Sequence, residues 1–296
     1  MTRLRILEHH RRTLSDIRNI MNSMKTLAYM ETRKLMRFLE AQHAVIKNIE
    51  EAAMDLLSFY PETLPEEHET TPAYILIGTE RGFCGDFNHA LIQHLDSTLQ
   101  INSSNSPLLI AVGRKLHTLM EDYELPISFV NGVNVVEEIT SLLNKMVIEL
   151  TTLQRQYGAL TVYCLYHGSE KGVVMQMLLP SLQNFLPASQ QFPYPPVLNQ
   201  SPRDFLVSLT DHYLFALLYE ILYTSLMAEN HLRVAHLEGA VKHLDDKEAE
   251  LSRQCNTLRQ EEIIEEIEVI LLNTSGFGKE PKMRYKPILQ TESKNS

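Results

Sequence analysis

The chain is short of several things, and each shortage excludes a class of protein. Three cysteines in 296 residues, Cys84, Cys164 and Cys255, lie far apart. They form neither a disulfide framework nor a zinc spacing, so a reducing cytosol is the natural setting. No uninterrupted apolar run reaches ~18 residues, the length of a membrane helix, and the basic opening MTRLRILEHHRRTL lacks the apolar stretch of a signal peptide. A soluble chain that is not exported is the expectation. Positive charge is scarce as well: the formal net charge is −10, which argues against a general nucleic-acid binder. Proline and glycine are missing altogether between Leu7 and Leu57, so nothing there interrupts a helix.

What is present is an ordinary globular composition, 44% hydrophobic and 22% charged, enough to bury a full core. From Leu7 to Leu57 apolar residues recur at three and four spacing through Leu14, Ile17, Met21, Met24, Ala28, Leu35, Phe38, Val45, Ile49, Ala52 and Leu56, with breaks at His10, Glu31 and Gln42. That pattern predicts a single helix of about fifty residues, on the order of 75 Å long. A polar, proline-punctuated linker follows, and then strands and helices alternate. YILIG, PLLIAVG, PISFV and ALTVYCLY read as strands of an open α/β sheet, and VVMQMLLP as a last strand antiparallel to its predecessor. A second long helix runs from about Arg203 to Asn273. Its stripe passes through Leu214, Leu217, Ile221, Ala228, Leu232 and Ala235, and continues from Val241 and Leu244 through Leu251, Cys255 and Leu258 to Ile263, Ile267 and Ile270. Gly239 is the expected place of a bend.

Two long helices with narrow stripes can bury them against each other as an antiparallel coiled coil. Charge favours the pairing: residues 1–50 hold ten Lys/Arg against five Asp/Glu, whereas residues 211–273 hold five against thirteen. The expected division is an N-terminal helix over 1–60, a linker over 61–72, an α/β domain over 73–202, a C-terminal helix over 203–273 and a basic, disordered tail over 274–296.

Between the first strand and the next helix lies TERGFCGDFNHAL, Thr79–Leu91, where α/β proteins often hold phosphate. A phosphate-binding Walker loop requires Lys and Ser/Thr after its last glycine, and here Gly82 is followed by Phe83 and Cys84. The dinucleotide pattern fails too, with Glu80 where its first glycine should stand. Tight turn geometry is the plainer account of Gly78, Gly82 and Gly85. The histidine pairs His89/His94 and His231/His236 are spaced i,i+5, which does not place both rings on one helical face. Ser169, near His167, lacks a nucleophile-elbow context.

Three stretches resemble the γ subunit family, the central rotor shaft of the F-type ATP synthases. RNIMNSMKTLAYMETRK is similar to the family's K-I-T-x-A-M-x-M-V-A-A-x-K-x-R-R, with Ile20, Met24, Lys25, Ala28, Arg33 and Lys34 in matching places. TERGFCGDFN is similar to S-D-R-G-L-C-G-G-F-N and keeps Arg81, Gly82, Cys84, Gly85, Phe87 and Asn88. SLMAENHLRVAHL and CNTLRQEEIIEEI resemble the family's last helix and keep Glu229, Arg233, Asn256, Arg259, Gln260, Ile263, Glu266 and Ile267. The chain is a divergent member: Met21-Asn22-Ser23 stands where the family has Thr-Lys-Ala, Glu31 where it has Lys, and Leu198-Asn199-Gln200 where it has Y-E-P.

The resemblance implies an antiparallel coiled coil with an inserted open α/β, Rossmann-like, domain. It implies a non-catalytic subunit with no cofactor and no metal, on the cytoplasmic face of a bacterial inner membrane, peripheral and without direct insertion. Its partners would be α and β subunits, an ε subunit and the membrane c-ring, with no nucleic acid. Met24, Lys25, Arg33, Arg233, Arg259, Gln260 and Glu266 would contact the α/β ring. Arg81, Gly82, Cys84, Gly85 and Asn88 would form a turn of the foot domain. Two other classes stay open on the residues alone, an α/β enzyme that uses the Gly78–Gly85 turn and a self-sufficient coiled-coil scaffold.

Overall fold

The computed structural model describes residues 3–64, 70–101, 107–123, 125–168, 172–181 and 193–276. The chain divides into two compact units, a larger one over 19–242 and a smaller one made of 1–18 together with 243–296. Helix α1 spans Arg3–Phe59 and helix α5 spans Pro202–Gly276, each unbroken.

The larger unit holds a five-stranded sheet: β1 (Thr71–Ile77), β2 (Leu108–Val112), β3 (Ile127–Val130), β4 (Leu160–Gly168) and β5 (Gly172–Leu179). Their spatial order is β3-β2-β1-β4-β5. The first four strands are parallel to their neighbours and β5 returns antiparallel to β4. Helices α2 (Phe87–Ile101), α3 (Arg114–Met120) and α4 (Ile139–Tyr157) connect the strands. Side chains alternate along a strand, and β1 uses both faces. Ala73, Ile75 and Ile77 join a core with α1, α4 and α5, whereas Tyr74 and Leu76 join one with α2 and α3. A sheet covered on both faces explains why β1 and β2 read as continuous apolar runs rather than alternating ones.

Within this unit α1 and α5 run antiparallel. Phe38 stacks on Tyr223, Gln42 Nε2 donates to the Ala216 carbonyl at 2.8 Å, His43 meets Glu220 at 2.8 Å and the Tyr213 hydroxyl donates to Glu50 at 3.4 Å. Leu57 is buried near the end of α1, and the row of covered positions that leads up to it is Ala28, Thr32, Leu35, Leu39, Gln42, Ile46, Ile49, Ala53 and Leu56. They step by four and three without a break, a repeat of 3.5 residues.

That register corrects the expected stripe. Phe38 and Val45 are largely exposed, and Thr32, Leu39, Ile46 and Ala53 take the inside instead. Every apolar residue at helical spacing was a candidate, and the position of α5 selects the row that is covered. Glu31 and Gln42 are not breaks. Gln42 is bonded to α5, and Glu31 accepts from Lys34 and from the Val136 backbone N–H at 3.4 Å. On α5, Leu232 and Ala235 likewise face outward, and Arg233 and Leu237 are buried.

Other expectations shift by a few residues. The segment read as a linker starts with a single 3-10 turn, Pro61–Thr63, and β1 begins at Thr71, inside the expected linker. Helix α5 runs through Gly239 unbroken and extends to Gly276, three residues past Asn273. Pro202–Asn273 also contains an 18-residue window of mean hydropathy 1.4, long and apolar enough to cross a membrane by composition, with 44% of it buried in the fold. The lack of a pure apolar run in the sequence therefore did not mean the lack of such a window. Ser169 and the tail beyond Gly276 lie outside the described residues.

In the smaller unit the two chain ends also run antiparallel. Arg18 bridges Asp245 at 3.2 Å and Glu248 at 3.1 Å, and Arg259 reaches Glu8 at 2.7 Å. Cys255 is buried there. Past it, Ile263, Ile264, Ile267, Val269, Ile270, Leu271 and Leu272 are all largely exposed. The expected seam through Ile263, Ile267 and Ile270 is therefore largely exposed among the described residues. Leu4 and Arg5, at the start of α1, line one pocket with Val269 and Ile270.

Candidate functional site

The glycine turn sits at the carboxyl end of β1, and its glycines differ in what the fold asks of them. Gly78 permits close packing: a Cβ there would stand 2.5 Å from the Cβ of Leu116. Gly85 has φ +60, a left-handed conformation that glycine adopts at little cost. Phe83, with φ 67, adopts the same region without that advantage. Gly82 has open space around its missing Cβ, so nothing in this chain requires glycine there.

The polar groups of the turn are occupied. Asn88 Oδ1 accepts from the Thr79 backbone N–H at 3.0 Å, and its Nδ2 donates to Thr79 Oγ1 at 2.9 Å. Glu80 accepts from the backbone N–H groups of Arg114 and Gly132, at 3.0 and 2.9 Å, and pairs with the Arg114 side chain. The hydroxyl and amide that could have faced a phosphate are bonded to each other.

The apex of the turn meets α5. Arg233, only 6% exposed, donates to Glu229 through a short contact, to Asn230 Oδ1 at 2.8 Å, to Cys84 Sγ at 3.2 Å and to the Gly82 carbonyl at 3.4 Å. Burial pushes the Glu229 carboxyl up to about 7, opposed by the Arg233 charge beside it. Burial, reinforced by Glu229, pushes the Cys84 thiol up to about 12, which makes it a poor nucleophile. Sequence comparison placed Arg233 with the ring-contact residues and Cys84 with the turn. In the fold they form one buried cluster, and the signal for it was the i,i+4 spacing of Glu229 and Arg233.

A cavity of about 200 Å³ lies beside this cluster, lined by Met24, Leu27, Met30, Arg81, Asn230 and Arg233 among others. All three sequence motifs therefore converge on it: Met24 from α1, Arg81 from the turn and Arg233 from α5. Leu27 and Met30 are exposed at its rim, Lys25 is half-buried and Arg33 is exposed on α1. Arg259, Gln260 and Glu266 are exposed on α5 in the smaller unit, with the Arg259 guanidinium engaged by Glu8. They are not brought to the cavity residues by any contact within either unit.

Comparison with solved structures defines the class first. The fold is similar to that of a chain in the Euglena gracilis mitochondrial ATP synthase, in a structure of its OSCP, F1 and c-ring, with a TM-score of 0.59 at 14% identity over 97% of this chain and 99% of that one. A chain of the Tetrahymena thermophila mitochondrial ATP synthase, from its central stalk and c-ring, gives a TM-score of 0.55 at 16% identity, covering 75% of this chain and 99% of that one. The family model described as ATP synthase matches residues 3–274, and the chain belongs to that family. Among its curated relatives are the ATP synthase gamma chain of Clostridium botulinum strain Langeland, 23% identical over 277 residues (88% of this chain, 94% of the relative), and that of Caldanaerobacter subterraneus, 20% identical over 285 residues (89% and 96%).

Proposed function

We propose that this chain is the γ subunit, the central rotor shaft, of an F-type ATP synthase, and that it is not itself catalytic. The observation that carries the reading is the family match over residues 3–274, joined to two long helices that run antiparallel wherever they meet within a unit. The 3.5-residue repeat of covered positions on α1 supports a left-handed antiparallel coiled coil, and the β3-β2-β1-β4-β5 sheet supports a Rossmann-like foot.

Such a shaft is stiff and asymmetric, because its two helices differ. Turned inside a ring of α and β subunits, it presents a different face to each catalytic β subunit in succession. Each orientation favours a different open or closed state, so rotation driven by an ion-powered c-ring becomes a difference in nucleotide affinity. The coupling is reciprocal, and hydrolysis drives the shaft the other way. In this reading the exposed Arg259, Gln260 and Glu266 and the apolar end of α5 face the ring. Met24, Lys25 and Arg33 contact it along α1, Arg81 belongs to the turn of the foot, Arg233 acts from beneath that turn, and an ε subunit and the c-ring engage the foot. The complex sits peripherally on the cytoplasmic face of a bacterial inner membrane.

The test is reconstitution. Mixed with α and β subunits, the full chain is expected to be required for a cooperative ATPase, whereas the chain alone binds no ATP and turns none over. Equilibrium binding of ATP or NAD by the isolated chain, lost on changing Gly85, would sink the shaft reading in favour of an enzyme.

A further inference from the structure

The glycine turn is fastened unevenly. Its two ends are held by side chains of its own neighbourhood, Asn88 on Thr79 at one side and Glu80 on the backbone of Arg114 and Gly132 at the other. The apex, Gly82 to Cys84, carries the strained left-handed Phe83. A conformation of that kind persists only where its surroundings over-determine it. Among the described residues, the polar contacts from α5 to this apex come from two side chains: Arg233, through Nε to the Gly82 carbonyl and Nη2 to Cys84 Sγ, and Glu229, whose Oε1 lies 4.0 Å from the same sulfur. Two further donors of the guanidinium go back into α5, to Glu229 and Asn230, four and three residues earlier on the same helix.

We infer that Arg233 and Glu229 are positioning residues: they clamp the apex of the glycine turn onto α5 and thereby fix the backbone that presents Arg81 at the cavity, a role that rests on the proposed shaft function only for its effect on coupling. The division of labour follows from charge. A guanidinium buried without acceptors is costly, and Glu229, which accepts from it one turn earlier on the same helix, is what lets Arg233 lie beneath the turn. The planar fork of arginine then supplies donors in fixed directions, two toward the helix and two toward the turn. The other charged groups that Glu229 senses, Glu80 and Arg81, belong to the turn itself. Clamp and turn are thus electrostatically one object, and a displaced apex would move Arg81 relative to Met24 and the rim of the cavity.

The cysteines report on the clamp from two places: Cys84 accepts one of its hydrogen bonds, and Cys164 belongs to the sheet. Cys84 lies under the apex, Cys164 lies in the middle of β4, and both are buried. Site-resolved thiol alkylation of the purified full-length chain, read by mass spectrometry, separates opening of the turn from loosening of the sheet. Replacing Arg233 by Met keeps an apolar stem and removes the guanidinium. Arg233→Met is expected to raise the alkylation rate of Cys84 roughly ten- to hundredfold, the effect of losing charge-assisted hydrogen bonds on a local opening, with Cys164 unchanged. Glu229→Gln is expected to raise the same rate by a smaller factor, and it decides the matter if Arg233→Met does not fold.

Protection of Cys84 in folded Arg233→Met overturns the clamp. So does a parallel rise at Cys84 and Cys164, which would make Arg233 a general stability residue. Because alkylation needs no partner, failure of the wild-type chain to assemble with α and β subunits would sink the shaft reading and leave this result standing.

Discussion

Leu35 and Leu272 are the same residue on equally regular helices, yet Leu35 is completely buried and Leu272 is 72% exposed. The region around Leu35, in the larger unit, has a neighbour on every side: α5 along the seam and α4 and the sheet beyond it. The region around Leu272, in the smaller unit, carries seven large apolar side chains and covers none of them deeply. Helix formation alone cannot account for the difference, since both segments are helical. The first region contributes to the stability of the chain. The second leaves its apolar side chains largely exposed among the described residues.

The largest test of that contrast is truncation of both leucines. Leu35→Ala is expected to lower unfolding free energy in urea by ~2–5 kcal/mol, the usual range for a buried leucine, whereas Leu272→Ala stays within ~0.5 kcal/mol. Equal losses would erase the contrast. In reconstituted complexes the ranking is expected to reverse, with Leu272→Ala the more damaging to assembly.

A second test follows from burial of charge in the larger unit. The Glu229 carboxyl is raised from its ordinary value of 4.5 to about 7 in the folded chain. A raised acid binds its proton more tightly when folded, so its contribution is fully present below the unfolded value and is lost as pH rises through about 7. Wild-type stability, measured against Glu229→Gln, is therefore expected to decline between about pH 5 and 8. Its slope should not exceed ~1.4 kcal/mol per pH unit. A decline of the same size in the Glu229→Gln chain itself would trace the effect to other groups.

The turn offers a finer contrast. Gly85→Ala forces a side chain into a left-handed backbone and is expected to destabilise by ~1–2 kcal/mol, whereas Gly82→Ala meets open space and leaves the isolated chain unchanged. An effect of Gly82→Ala confined to the assembled complex would mean that a partner, not the fold, requires glycine at that position.

The smallest expected effect belongs to the surface pair of the smaller unit. Arg259 and Glu8 approach to 2.7 Å but remain exposed to water, and Glu8→Gln is expected to change stability by no more than ~1 kcal/mol, less at high salt. Converting Arg259 and Gln260 together to Ala is expected to leave the isolated chain equally stable and to lower coupled ATPase in the reconstituted complex. An unchanged rate with the complex intact would remove these residues from the ring contact.

Much of this architecture was legible without coordinates. The unbroken apolar spacing from Leu7 to Leu57, the alternation of strand and helix signals and the position of the glycine turn all follow from local chemistry acting over a few residues. Two things were less legible. The stripe on α1 was read through Phe38 and Val45, because at helical spacing they are as apolar as Leu39 and Ile46; only the line of α5 selects between the two rows. Arg233 was read as a ring contact from the family resemblance alone. Its burial depends on Glu229 one turn earlier and on a loop 149 residues away in sequence, measured to Cys84.

By itself the sequence determined where the chain is helical, where it is extended, and where its backbone must turn, since these depend on residue types and their spacing along the chain. It also marked the motifs that relate the chain to a family. Tertiary structure decided which face of each helix is covered, which glycines are indispensable, and that three motifs far apart in sequence surround a single cavity. Those outcomes depend on neighbours brought together from distant parts of the chain, and burial, pairing and strain are properties of such neighbours rather than of any one residue.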